Sequence, residues 1–169
     1  MFFSDIAGFT PVSDSLAPQE LAVWLNDYLN DMAEICRRYE GTLDKFIWGA
    51  VMVFFGDPRT LGPKDDAVQC IRMARDMVAA VEQRQIKIRV GIHSGECVVG
   101  NFGSDARMDY TVVGRNVNIA ARLESISAHN RILISDATWK LLDGMFSGRP
   151  NGEVKLKGLD QPVLTYWIN

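Results

Sequence analysis

Residues 42–55 read TLDKFIWGAVMVFF, and this stretch decides the fold. Residues 42–47 and 50–55 are rich in β-branched and aromatic side chains, which favour strands. Only Trp48 and Gly49 separate the two runs, and a two-residue connection is typical of a tight hairpin. We therefore predict an antiparallel strand pair that turns at Trp48 and Gly49.

The composition is that of one globular domain. A chain of 169 residues with 47% hydrophobic content can bury a core of its own. The net charge of -3 and the isoelectric point near 5.4 argue against nucleic-acid binding, which needs a basic surface. The most apolar run, residues 46–55, is too short to span a bilayer, and no signal-peptide pattern opens the chain. We expect a cytoplasmic domain with no membrane contact of its own.

The three cysteines do not form a recognisable site. Cys36, Cys70 and Cys97 are an odd number without CxxC spacing, which indicates neither a disulfide framework nor a zinc site. Two of them fall on apolar faces of predicted helices, so we interpret them as core residues.

The remaining elements alternate along the chain. Hydrophobic periodicity predicts further strands at 2–5, 86–92, 96–102, 132–135, 154–156 and 163–168, and helices at 18–39, 67–81, 114–125 and 137–142. Strands 86–92 and 96–102 are predicted to form a second pair around His93, which we interpret as structural. This order predicts an α+β fold with a ferredoxin-like β-α-β-β-α-β core, an antiparallel sheet and a C-terminal α/β extension.

Three motifs carry a resemblance to a known family. They are FSDIAGFT at 3–10, KFIWGAVM at 45–52, and DYT at 109–111 followed by Asn118 and Arg122. Together they resemble the catalytic domain of class III nucleotidyl cyclases, which make cyclic AMP or cyclic GMP from the nucleoside triphosphate. The resemblance implies that residues 1–169 are one catalytic domain of the bacterial adenylyl cyclase type. Because only four residues precede Asp5, a domain cut from a longer membrane-bound or soluble sensor is one interpretation.

The family's metal site is incomplete in this sequence. The resemblance implies two Mg²⁺ or Mn²⁺ ions, held by Asp5 and by an aspartate that follows Lys-Phe-Ile-Gly in the hairpin. Here Gly49 occupies that second position and offers no ligand. We do not expect Asp44 to replace it, because strand alternation would turn Asp44 and Lys45 to opposite faces. Asp57 lies beyond the far end of the second strand.

The resemblance also assigns nucleotide contacts. A lysine donor at Lys45 and a hydroxyl acceptor at Thr111 suit adenine, so ATP is the expected substrate. Asn118 and Arg122 are four residues apart on one predicted helix face, where the amide can orient the ribose and the guanidinium can stabilise phosphate charge. Further phosphate contacts are implied for the turn after Asp5 and for two basic side chains: Ile6, Gly8, Phe9, Thr10, Arg89 and Lys157.

The family's active sites form between two antiparallel subunits. The resemblance therefore places Asp5 and Arg89 on one subunit of each site. The partner subunit would supply the base, ribose and transition-state contacts: Lys45, Thr111, Asn118, Arg122 and Lys157. Three interpretations stay open. The chain is an adenylyl cyclase domain that is active or weakly active as a homodimer, a regulatory pseudo-cyclase that binds nucleotide, or one half of a heterodimer with an intact cyclase domain. Loss of one metal carboxylate would slow the reaction by roughly 10²–10³-fold or more.

Overall fold

The computed structural model describes all residues from 1 to 169 and contains five helices and nine strands. The helices are α1 (Phe9–Ser15), α2 (Pro18–Arg38), α3 (Pro63–Gln83), α4 (Arg115–Ile126) and α5 (Asp136–Leu142). The strands are β1 (Phe2–Ile6), β2 (Thr42–Ile47), β3 (Ala50–Phe54), β4 (Ile88–Ile92), β5 (Val98–Ser104), β6 (Arg107–Val113), β7 (Arg131–Ser135), β8 (Gly148–Val154) and β9 (Val163–Ile168). None of the helices combines the length and the apolar character that crossing a membrane requires.

Seven strands form one sheet in the order β2-β3-β1-β4-β7-β9-β8. All neighbours are antiparallel except β4 and β7, which run parallel. The β2-β3-β1-β4 half, with α2 and α3, is a ferredoxin-like β-α-β-β-α-β unit, and β7, β9 and β8 extend it. The predicted fold class is therefore confirmed.

The main core lies on the sheet face that α2 and α3 cover. Phe2, Ile71, Met77 and Ile88 are completely buried there, as expected from the apolar spacing of the two helices. Helix α4 covers part of the opposite face and approaches β4 very closely. A Cβ atom at Gly91 would lie 2.0 Å from the backbone nitrogen of Glu124, so this approach requires glycine.

The second predicted strand pair is wrong. Strand β4 does not pair with β5; it lies between β1 and β7 inside the large sheet. Strand β5 pairs instead with β6, an unpredicted strand, and the two form a separate two-stranded sheet that we call the β5–β6 arm. Val90 and Ile92 of β4 are 0% and 1% exposed, which suits a central strand, whereas Val98 of β5 is 62% exposed.

Candidate functional site

The hairpin turns at Trp48 and Gly49, as the sequence predicts, and both residues have positive φ angles, 50° and 92°. Trp48 is 84% exposed, whereas Gly49 is buried against the end of β1. A Cβ atom at Gly49 would lie 3.0 Å from Cδ1 of Ile6. A side chain at position 49 would thus project towards the residues beside Asp5. It would also be strained, since L-residues rarely adopt this φ.

Asp5 is already engaged by a cation of the protein itself. Asp5 and Arg89 are cross-strand partners in β1 and β4, and Nη2 of Arg89 donates to Oδ2 of Asp5 at 2.8 Å. The Nε atom of Arg89 lies 3.0 Å from Oε1 of Glu124, although the two are not aligned for a hydrogen bond. Burial raises the pKa of Glu124, and Arg89 opposes that rise. One guanidinium therefore lies between two carboxylates, which share its single positive charge.

These residues do not fit a complete two-metal site. Of the two positions where the family resemblance implies metal-binding carboxylates, only Asp5 carries one, Gly49 has no side chain, and Arg89 contacts one oxygen of Asp5. No cluster of three or more His, Cys, Asp or Glu side chains suited to a metal ion occurs anywhere in the chain. A metal-ligand role for Asp5 stays a prediction.

The turn after Asp5 leads directly into α1. Gly8 adopts a left-handed conformation with φ of 74° just before the helix begins. The backbone nitrogen of Ala7 donates to the carbonyl of Lys87 at 2.8 Å, which anchors the turn to the segment before β4. Phosphate binding by Ile6, Gly8, Phe9 and Thr10 stays a prediction.

Asp44, which the sequence does not predict to be a metal ligand, contacts both Lys45 and the strand that carries Thr111. Strand β2 has a bulge between Leu43 and Lys45, so Asp44 has no partner on β3. Its Oδ2 atom lies 3.2 Å from Nζ of Lys45, and its Oδ1 atom accepts from the backbone nitrogen of Val112 at 3.3 Å. The expectation that Asp44 and Lys45 face opposite sides is wrong, because the bulge interrupts strand alternation.

Arg122 lies beside the turn that contains Lys157. A Cβ atom at Gly158 would be 3.3 Å from Nη2 of Arg122, so the guanidinium rests against the residue that follows Lys157. Asn118 is exposed one helical turn before Arg122 on α4. Helix spacing in the sequence was sufficient to group Asn118 with Arg122. No hydrogen bond or ion pair joins Asp5 to any of these residues or to Lys45.

The sequence did not predict one hydrogen bond between the β5–β6 arm and the rest of the molecule. The hydroxyl of Tyr110, on β6, donates to a carboxylate oxygen of Asp57, in the loop after β3. Tyr110 belongs to a recognised motif, but the residues are 53 positions apart and nothing local predicts the contact. The position of Thr111 is therefore fixed on both sides, by Tyr110 before it and by Val112 after it.

His93 lies in a buried polar network, in agreement with a structural role. Its Nδ1 atom is 2.7 Å from Oγ of Ser135, and its Nε2 atom is 2.9 Å from Oδ1 of Asn116. Burial lowers the pKa of His93, and the hydrogen bond with Asn116 partly opposes this change. Cys36 and Cys70 are free and buried, as expected for core residues.

Comparison with known proteins identifies the family of the chain. Residues 1–169 match the family model described as the adenylate and guanylate cyclase catalytic domain. Adenylate cyclase 1 of Rhizobium meliloti is 30% identical over 98% of this chain, which spans only 26% of that longer protein. The chain belongs to the adenylate and guanylate cyclase catalytic-domain family.

Solved structures of the family include both kinds of cyclase. The adenylyl cyclase CyaB from P. aeruginosa is 45% identical, with a TM-score of 0.97 over 99% of this chain and 91% of that chain. The guanylate cyclase domain of RhGC from Catenaria anguillulae, in complex with GTP, is 29% identical. Its TM-score is 0.92 over 99% of this chain and 93% of that chain. The fold is therefore common to an adenylyl cyclase and a guanylate cyclase, and the fold alone does not distinguish the two activities.

Proposed function

We propose that this chain is an adenine-nucleotide cyclase domain that contributes the base, ribose and phosphate contacts of a shared site. The metal-binding half that this chain would contribute to a second site lacks the carboxylate at position 49. The observation that carries the proposal is the hairpin itself: the Asp44 carboxylate contacts both Lys45 and the amide that follows Thr111, whereas Gly49, against Ile6, provides no carboxylate near Asp5. The proposed product is 3′,5′-cyclic AMP, with pyrophosphate as the leaving group.

The side chains suit the steps that cyclisation requires. The Lys45 ammonium donates to a ring nitrogen of adenine, and the Thr111 hydroxyl accepts from the 6-amino group. Asn118 orients the ribose so that its 3′-oxygen can bond to the α-phosphorus as the bond to pyrophosphate breaks and the hydroxyl proton passes to solvent water. Arg122 stabilises the negative charge that develops on the α-phosphate, and its planar guanidinium matches phosphate oxygens. Lys157 adds positive charge at the turn beside Arg122.

A partner subunit is needed to complete the site. In this proposal Asp5 and Arg89 act in a different site from Lys45 and Thr111 of the same chain, in an antiparallel dimer. A homodimer would have two sites that each lack the carboxylate at position 49. A partner domain that carries both carboxylates would restore one complete site. This chain keeps every contact that such a partner would need.

A regulatory nucleotide-binding domain is the second candidate. The Asp5–Arg89 ion pair favours it, because Arg89 already offsets the charge of Asp5. In that case the chain would bind ATP and control a neighbouring domain without turnover.

The decisive experiment mixes two versions of this chain. The first is the wild type. The second carries Trp48→Gly and Gly49→Asp, which provides the missing carboxylate and places glycine at the first turn position, so that the hairpin can change to a turn that needs a positive φ only there. It also carries Lys45→Ala, which removes a base contact. We expect the mixture to form cyclic AMP from ATP at least tenfold faster than the sum of the separate chains, because only a mixed dimer has one complete site.

Two controls define the outcome. Trp48→Gly alone changes the same turn without adding a carboxylate and should leave the wild-type rate unchanged. Trp48→Gly/Gly49→Asp without the Lys45 change should raise the rate by roughly 10²–10³-fold. A wild-type rate equal to that of this double variant would contradict the missing-ligand argument. ATP binding by the wild type, with no gain in the mixture, would favour the regulatory candidate.

A further inference from the structure

Asp44 is a buried carboxylate with an unusual environment. Its side chain is 0% exposed, and it sits at the bulge of β2, where it opposes no residue of β3. The Oδ2 atom is buried and has no aligned hydrogen-bond donor, although Nζ of Lys45 is 3.2 Å away. A buried charge is costly unless it is paired, so an incompletely satisfied carboxylate here requires a reason.

The contacts of Asp44 join two parts of the fold. Strand β2 is an edge strand of the seven-stranded sheet, and β6 has a strand partner only in β5. The other edge of β6 approaches β2, where Oδ1 of Asp44 accepts from the backbone nitrogen of Val112. That nitrogen belongs to the peptide group immediately after Thr111. One carboxylate therefore holds the Lys45 ammonium and the backbone of Thr111 at a fixed separation.

We propose that Asp44 is a positioning residue that determines base selectivity, acting through Lys45 and β6 without touching the nucleotide. This inference rests on the proposed function of Lys45 and Thr111. Two groups that discriminate purines by hydrogen bonding must keep their spacing, because selectivity comes from leaving the wrong base unpaired. The Lys45 side chain is flexible and 41% exposed. The Asp44 carboxylate is its only ion-pair partner and therefore limits its position. The β2 bulge makes this arrangement possible.

Two substitutions separate the two contacts of Asp44. Asp44→Asn keeps an oxygen acceptor for Val112 but removes the charge that attracts Lys45. Asp44→Ala removes both contacts. We expect Asp44→Asn to reduce the preference for ATP over GTP by about tenfold, since hydrogen bonds to charged groups are among the stronger ones. We expect Asp44→Ala to reduce it further and to destabilise the arm.

The test has two measurements on the full chain. Titration calorimetry gives the dissociation constants for ATP and for GTP. Amide hydrogen exchange of the apo protein gives the protection of the Val112 amide, which should persist in Asp44→Asn and fall in Asp44→Ala. Asp143→Asn is the matched control, because it changes an aspartate in the exposed Lys64–Asp143 ion pair. It should alter neither quantity.

A double-variant comparison tests whether Asp44 acts through Lys45. If it does, Asp44→Asn should have no further effect on the ATP-to-GTP ratio in a Lys45→Ala background. Full additivity of the two changes would overturn the inference, and so would a wild-type ratio in Asp44→Asn and Asp44→Ala. If the wild type bound neither ATP nor GTP, the proposed function itself would fail along with this role. Retained ATP binding with an unchanged ratio would reject only the role of Asp44.

Discussion

Arg89 and Asp5 face each other across β4 and β1, with Nη2 of Arg89 2.8 Å from Oδ2 of Asp5. Glu124 lies on the other side of the same guanidinium, 3.0 Å from Nε. The residue expected to contact triphosphate oxygens thus neutralises the residue expected to bind metal. A cation or phosphate that bound to these two side chains would compete with this ion pair for Oδ2 of Asp5 or for Arg89.

Replacing Arg89 should destabilise the fold in a pH-dependent manner. Arg89→Met keeps much of the apolar stem but leaves Asp5 and the half-buried Glu124 without their shared cation. We expect a loss of about 1–2 kcal/mol near neutral pH, at the lower end because Arg89 and Asp5 are partly exposed. Burial raises the pKa of Glu124, and loss of Arg89 should raise it further.

The sign of the pH effect follows from that pKa. The penalty of a raised folded-state pKa is present when the Glu124 carboxyl group is ionised, and it disappears as the pH falls and the group binds a proton. The difference in unfolding free energy between the wild type and Arg89→Met should therefore narrow as the pH falls from neutral towards the raised pKa of Glu124. Urea denaturation of both proteins at a series of pH values measures this difference in unfolding free energy. Arg59→Met, at the exposed Arg59–Glu40 pair, is the control, and a gap that widens on acidification would contradict the argument.

Restoring the missing carboxylate should increase cation affinity before any catalysis. We expect Trp48→Gly/Gly49→Asp to bind Mn²⁺ at least tenfold more tightly than the wild type in the absence of nucleotide. The reason is that hard cations favour sites with more carboxylate oxygens. Electron paramagnetic resonance titration of free Mn²⁺ gives this affinity directly. Adding Asp5→Asn to the double variant should cancel the gain. Equal Mn²⁺ affinities for the wild type and the double variant would show that position 49 does not contribute a ligand.

The close approach of β4 and α4 should not tolerate a methyl group. In Gly91→Ala, the new Cβ atom would overlap the backbone nitrogen of Glu124, only 2.0 Å away, and backbone cannot rotate aside. We expect a loss of about 3 kcal/mol in the free energy of unfolding, measured by chemical denaturation. Gly100→Ala in β5, where the nearest atom is 3.8 Å away, should cost much less. Similar losses in both variants would argue against the packing of α4 on β4.

His93 should make the protein less stable in mild acid. Its pKa in the folded state is lowered by burial, so its contribution is complete above the unfolded-state pKa of about 6.5. The contribution is lost as the pH falls towards the lower folded-state value. We expect wild-type stability to drop between about pH 7 and about pH 5 by at most about 1.4 kcal/mol per pH unit from this residue.

His93→Gln should be less stable than the wild type at neutral pH, because it disturbs the contacts with Ser135 and Asn116. It should nevertheless have a shallower dependence on pH. Thermal melting of both proteins across this range makes the comparison, with His129→Gln, an exposed histidine, as the control. Parallel pH profiles of the wild type and His93→Gln would show that His93 does not cause the loss of stability in mild acid.

Local patterns predicted most of the elements but not the pairing of the fourth strand. The hairpin at residues 42–54 and the long helices α2 and α3 have strong periodicity, and their positions were predicted well. Helix α1 was missed because it is short and buries no residue, so it has no apolar pattern. The partners of β4 are distant in sequence, and its adjacency to β5 along the chain led to the wrong pair.

The candidate site was predictable where one motif defines it and unpredictable where separate elements meet. Asn118 and Arg122 share a helix, so their spacing was informative. The Asp44 bulge was not foreseen, because alternation holds only for a regular strand and the sequence contains no marker of the extra residue. The Arg89–Glu124 contact joins β4 to α4 and likewise has no local signal.

The hydrogen bond from Tyr110 to Asp57 would couple ligand binding to the attachment of the β5–β6 arm. The β5–β6 arm carries Thr111 and is held to the rest of the molecule by this bond and by the Asp44–Val112 contact. A ligand that binds more tightly when these two contacts are formed would favour their formation. By thermodynamic reciprocity, forming the contacts would raise the affinity for that ligand by the same factor. In the proposed function, a second subunit that contacts the arm would therefore change nucleotide affinity without contacting the nucleotide.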